Sequence, residues 1–229
     1  MLLVLLDVDG TLLLTHDPLV ARSALEAARE TYDVELPDDA FGGIGHTGQT
    51  ALSIGRMLLR RAGLRDAEIE PRLARWCGLH GRRYVELLAG FDTSGWRTSP
   101  GTHEALQALA PSTRLALLTG NPEPVARARM ERLGLAGFFP AGLGAFGCES
   151  ESRTELVRLA RERAGTRGKP WPAEATVAVG DTRADVEGAR AAGVAVIAVA
   201  SAAGGAPTGA EARISSLRSL PEALAALSR

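Results

Sequence analysis

Three short segments hold the residues best suited to chemistry: Asp7-Val8-Asp9-Gly10-Thr11, Thr119-Gly120-Asn121 and Gly180-Asp181-Thr182-Arg183-Ala184-Asp185. Brought to one rim, they would supply four carboxylates and a hydroxyl. That much negative charge is costly to pack together unless a cation neutralises it. Magnesium suits such a set. It takes oxygen ligands in octahedral geometry, keeps several waters, and is held by one or two carboxylates plus substrate phosphate. It would also let an anionic phosphoryl group approach an acidic site. Helix capping after a strand explains one of these acids comfortably, such as Asp185, but not all four.

Whether the segments meet depends on the elements that carry them. Leu2–Leu6 is an unbroken apolar run that ends abruptly in charge, as a buried strand of a parallel sheet does. Comparable runs lie at 114–118, 141–146, 176–179 and 194–200, separated by helical patterns at 102–110, 124–133, 152–164 and 184–192. This alternation predicts a doubly wound, Rossmann-like α/β sheet. Ligands of such sheets bind outside the carboxyl ends of the strands, where all three segments fall. One connection breaks the rhythm: more than 100 residues separate the first strand from the second. Most of them show helical periodicity, so 15–90 is expected to be an inserted α-helical domain, with the α/β core made by 1–14 and 91–229. Asp92–Gly101 is rich in turn residues and reads as the return linker, and Ala200–Gly209 as a surface loop.

Composition narrows the classes. The 229 residues are 45% hydrophobic and carry 26 basic against 27 acidic side chains. Those proportions fit a soluble globular protein with a sizeable core and supply no basic face for nucleic acid. Lys169 is the single lysine. Cys77 and Cys148 are far apart without ligand spacing and read as two reduced thiols. The apolar start is six residues long, too short for a signal peptide or a membrane span. A cytoplasmic location without membrane contact is therefore expected, and nothing in the residues sets an oligomeric state.

Asp-x-Asp-Gly-Thr, Thr-Gly-Asn and Gly-Asp-Thr-Arg-Ala-Asp, in this order and each at a strand end, resemble the motifs of haloacid dehalogenase-like hydrolases. The resemblance runs along the whole chain, including a helical cap after the first strand. Its spacing and the late Val-Ala-Val-Ile-Ala-Val are similar to the phosphoglycolate-phosphatase-like branch. It implies a phosphatase acting on a small phosphorylated metabolite, with Mg²⁺ as cofactor. Asp7 would attack phosphorus to give an aspartyl phosphate, and Asp9 would protonate the leaving oxygen and then deprotonate the water that hydrolyses it. Asp7, the backbone carbonyl of Asp9, and Asp181 would hold the metal, with Asp185 orienting a ligand from behind. Thr119 would donate to a phosphoryl oxygen, beside Gly120 and Asn121 in the substrate loop.

Asp9 also separates reaction classes. Dehalogenases of this superfamily lack an acid at that place, since a halide leaves without a proton. Phosphonoacetaldehyde hydrolases lack it too and use a cap lysine, which this cap does not have. A phosphomutase shares every core residue, and an idle binding or regulatory protein could share the fold. The family's basic residue is assigned to Arg153, expected in the first turn of a helix with Ser152 and Glu155 as a capping box. Lys169 should lie at the amino end of the next strand, away from the site. In the cap, the glycine-rich Gly42–Thr50 segment resembles one that faces the core, which makes His46, Gln49 and Thr50 candidate substrate contacts. Many relatives carry a basic residue near Gln49. Its absence here weighs against an acidic substrate such as phosphoglycolate.

Overall fold

The apolar runs become strands, and their residues point alternately into two cores. In the computed structural model, which describes residues 1–201 and 204–227, six parallel strands are ordered β3-β2-β1-β4-β5-β6. They are β1 (Leu2–Leu6), β2 (Thr113–Thr119), β3 (Ala145–Phe146), β4 (Thr176–Gly180), β5 (Ala195–Val199) and β6 (Ala212–Ile214). On β1, Val4 and Leu6 pack into one hydrophobic cluster while Leu3 and Leu5 pack into the other. Burial on both faces is why the run is continuous rather than alternating.

Helices α4 (Thr102–Leu109), α5 (Glu123–Arg132) and α8 (Leu220–Leu227) cover one face, and α6 (Arg153–Ala164) and α7 (Arg183–Ala191) the other. The fold is the expected Rossmann-like α/β class. Its chain order reverses between β1 and β4, which opens a crevice at their carboxyl ends.

Details differ from the sequence reading. The strand expected over 141–146 contracts to two residues, because Gly142 and Gly144 both take left-handed φ, 79° and 93°. Strand β6 and helix α8 go beyond the elements read from the sequence; three residues of strand are too few to show a period. Of the expected loop at 200–209, Ala202 and Ala203 lie outside the described residues, and the remainder holds neither helix nor strand. Among the described residues no helix is long and apolar enough to cross a membrane.

Between β1 and β2 come α1 (Pro18–Tyr32), α2 (Ala51–Arg61) and α3 (Asp66–Ala89), which build their own apolar cluster. Trp76 lies across Gly55, where a Cβ would stand 2.3 Å from the indole ring, and its Nε1 donates to the Ala24 carbonyl at 3.1 Å. One expectation is overturned here. Cys77, on α3, and Cys148, just after β3, are not free thiols but form a disulfide, with Cα atoms 5.7 Å apart. The pairing is tertiary: α3 crosses the loop that leaves β3, and a separation of 71 residues gives no local signal. The thiol argument for a reducing compartment falls with it, since such bonds are rare in the cytosol.

Candidate active site

Register brings the three segments together. Leu6 lies beside Leu117 of β2 and Val179 of β4, and the Asp7 amide donates to the Val179 carbonyl at 2.9 Å. Asp7, Thr119 and Asp181 thus leave three adjacent strand ends. The chain must then turn sharply over Asp181. Gly10 takes φ +73°, and a Cβ there would stand 2.1 Å from an Asp181 oxygen, so no other residue fits.

Asp7, Asp181 and Asp185 are crowded, and Asp7 and Asp185 are buried. Burial raises the pKa of Asp7, with the Asp9 charge adding to the rise; Arg153 and a hydrogen bond from Thr119 oppose it. Asp181 is pushed up to about 7 by burial and next by the charge of Asp7, while the Thr11 hydroxyl, 3.3 Å away, pulls the other way. Asp185 sits in the first turn of α7, where it accepts from the Thr182 amide at 3.0 Å and the Thr182 hydroxyl at 2.6 Å. Asp7, Asp181 and Asp185 each offer an oxygen within 4.8 Å of the others. Burial raises the pKa of Asp7 and of Asp181, so a hard divalent cation held by this triad would stabilise their charged forms.

Arg153 opens α6 and reaches this cluster. Its guanidinium rests on the Asp185 carboxylate and lies 3.5 Å from Asp7. Ser152 caps the helix by accepting from the Glu155 amide, but the reciprocal half of the capping box is not made; Glu155 pairs with Arg158 instead. Lys169 is exposed in a turn paired with Thr166, ahead of β4 and so at the sheet's amino end.

The helical insertion docks on the second segment. The Ala51 amide donates to the Gly120 carbonyl at 2.7 Å and the Leu52 amide to the Gly147 carbonyl at 3.1 Å. A Cβ on Gly120 would stand 2.1 Å from the Gln49 carbonyl, so glycine permits the approach. Thr50 is buried as the N-cap of α2, accepting from the Ser53 amide at 3.3 Å, and the Gln49 side chain accepts from the Ser53 hydroxyl. Both sit at the seam, with the Thr50 hydroxyl and the Gln49 side-chain oxygen engaged inside the insertion. His46 is exposed and packs edge-on against Phe41. Asn121 donates to Asp9 and, at 3.0 Å, to the Thr119 hydroxyl, which makes it a brace within the site.

Asp9 is not one of the triad. Its carboxylate accepts from Nη1 of Arg129 at 2.9 and 3.1 Å. Sequence reasoning missed Arg129, together with Asp17 and Tyr84 beside it. A signal was present for Arg129, because it shares the buried face of α5 with Val125, Ala126 and Met130, a place for apolar residues.

A doubly wound sheet with carboxylates, a threonine and an arginine gathered at its switch point defines an α/β enzyme-type site. The sequence profile of the haloacid dehalogenase-like hydrolases matches residues 1–193, and the chain belongs to that family. Among curated protein sequences no match is found. Solved structures share the fold at low identity. CbbY from Rhodobacter sphaeroides, in complex with phosphate, is 21% identical with TM-score 0.69 over 96% of each chain. A predicted phosphatase from Clostridium acetobutylicum is 19% identical with TM-score 0.65 over 98% of each. A β-phosphoglucomutase from Clostridium difficile is 13% identical with TM-score 0.69, covering 99% of this chain and 96% of its own.

Proposed function

We propose that the protein hydrolyses small phosphate monoesters with Mg²⁺, through an aspartyl phosphate on Asp7. The observation that supports this reading most is the meeting of Asp7, Thr119, Arg153, Asp181 and Asp185 at one switch point. Asp7 and Asp181, with the backbone carbonyl of Asp9, would hold the cation, and Asp185 would steady it from the next turn. Bound there, Mg²⁺ offsets the charge of the acids and of the phosphoryl group.

Asp7 attacks phosphorus as the bond to the leaving oxygen breaks, and the Asp9 carboxyl gives that oxygen its proton. Asp9, now ionised, takes a proton from the water that attacks the aspartyl phosphate. Phosphate leaves and Asp7 is restored. Thr119 donates to a phosphoryl oxygen, and Arg153 offsets charge on nucleophile and phosphate. The core, 1–14 and 91–229, carries the chemistry; the helices of 15–90 act as a cap that excludes water, docked through Gly120 and Gly147.

The test is phosphate release across a panel of metabolite phosphate esters, with and without chelator. Release that needs Mg²⁺ is expected. Transfer to a second hydroxyl of a sugar phosphate without release would mean a phosphomutase instead, and no turnover on any ester would defeat both. A further expectation concerns the basic residue. Arg153→Ala should lower kcat/KM by roughly 10² or more, since it removes a charge beside the transferring group. Lys169→Ala should leave it within about threefold, because surface changes away from the site are near neutral. The reverse ranking would overturn the assignment of Arg153.

A further inference from the structure

Arg129 is an arginine almost without solvent contact, its side chain 1% exposed, in a helix of the sheet layer. Its neighbours come from both ends of the helical insertion. Nε and Nη2 donate to Oδ2 of Asp17 at 3.0 and 2.8 Å, and Nε also reaches the Tyr84 hydroxyl at 3.1 Å. Tyr84 in turn donates to Asp17 at 2.6 Å. Asp17 is the N-cap of α1, where the chain enters the insertion, and Tyr84 lies in the last turns of α3, where the chain returns. Asp17 is fully buried and by itself neutralises the arginine. The remaining nitrogen, Nη1, is turned the other way onto Asp9, whose side chain is 56% exposed and needs no buried partner. Charge compensation therefore does not explain this contact. Buried hydrogen-bond networks that are fully satisfied fix orientation, and this one ends on the acid of the site.

Resting on the role proposed above for Asp9, we infer that Arg129 is the positioning residue for the general acid, and that Asp17 and Tyr84 hold Arg129 in place. The arrangement ties the orientation of Asp9 to the base of the insertion. A leaving group that departs only when protonated depends on that orientation. One that departs as a stable anion does not.

The experiment compares an alkyl phosphate with p-nitrophenyl phosphate in three variants. Removing Arg129 alone would strand the buried Asp17 charge, so the informative protein is Arg129→Met combined with Asp17→Asn, which removes both charges and leaves an oxygen to cap α1. In that variant kcat/KM for the alkyl ester should fall roughly 10- to 100-fold, while kcat/KM for p-nitrophenyl phosphate, which reports the steps up to departure of the leaving group and not the later hydrolysis of the aspartyl phosphate, falls less than about threefold. Arg129→Lys should recover part of the alkyl-ester rate. Asp9→Asn is run beside them. If it too loses kcat/KM selectively on the alkyl ester while the Arg129 variants lose none, or lose equally on both esters, the inference about Arg129 fails alone. If Asp9→Asn shows no such selectivity, the role of Asp9 fails first.

Discussion

Asp7→Asn should abolish phosphate release, by at least about 10⁴-fold in kcat, because the covalent route has no other nucleophile. The amide keeps the shape of the carboxylate but not its nucleophilic oxygen. Loss of activity is commonly confounded with loss of fold, and here the two separate cleanly. Asp7 is buried, and burial holds its pKa above the ordinary carboxylate value. A group whose pKa is raised on folding contributes stability while protonated, at low pH, and that contribution is lost as pH rises through the folded value. An amide never ionises, so it escapes this loss. Arg153 does not become an unpaired charge in the variant, since its guanidinium also rests on Asp185. Without metal, the variant should be at least as stable as the parent above about pH 4, and its advantage should grow toward neutrality. Calorimetry in chelator at several pH values measures this beside the phosphate assay. Turnover that survives the substitution would sink the aspartyl-phosphate mechanism. An advantage that shrinks with pH would contradict the burial account of Asp7.

How much of this was legible beforehand depended on how local each signal was. The strands at 2–6, 113–119 and 176–180 were readable because two-sided burial demands continuous apolar runs, and the acids after them stood out against those runs. Topology then placed Arg153 and Lys169 at opposite ends of the sheet from chain order alone. The orientation of Asp9 was not readable. Its partner Arg129 is 120 residues away on α5, and nothing local in the sequence pairs the two. Thr50 and Gln49 lie beside the core loop, yet the Thr50 hydroxyl caps α2 and the Gln49 side-chain oxygen accepts from Ser53, which one-dimensional spacing does not reveal. The disulfide is the clearest case. Two isolated cysteines carry no pairing signal until α3 is laid over the loop after β3.

That disulfide carries the second large expectation. Cys77→Ala with Cys148→Ala should cost about 2–4 kcal/mol of stability, against a total of roughly 5–15 for a folded domain. Closing a loop of 71 residues removes denatured-chain entropy worth on the order of 4 kcal/mol. For a chain of this size the melting temperature should fall by about 5–15 °C. The site would feel this. Cys148 lies in the short stretch between β3 and Arg153, so the bond fastens α3 to the loop that leads into the arginine. Other contacts cross the same seam: Arg56 bridges to Glu151 at 2.7 Å, and the Ala51 and Leu52 amides bind the Gly120 and Gly147 carbonyls. They should keep the insertion docked in the folded state, so the variant is expected to remain folded at 25 °C but to melt earlier. Reductant should shift the parent by the same amount and leave the double variant unmoved. Thiol titration of the denatured, unreduced parent should find no free thiol. Two thiols there would overturn the bond, and a reductant shift equal in both proteins would show that the stability comes from elsewhere.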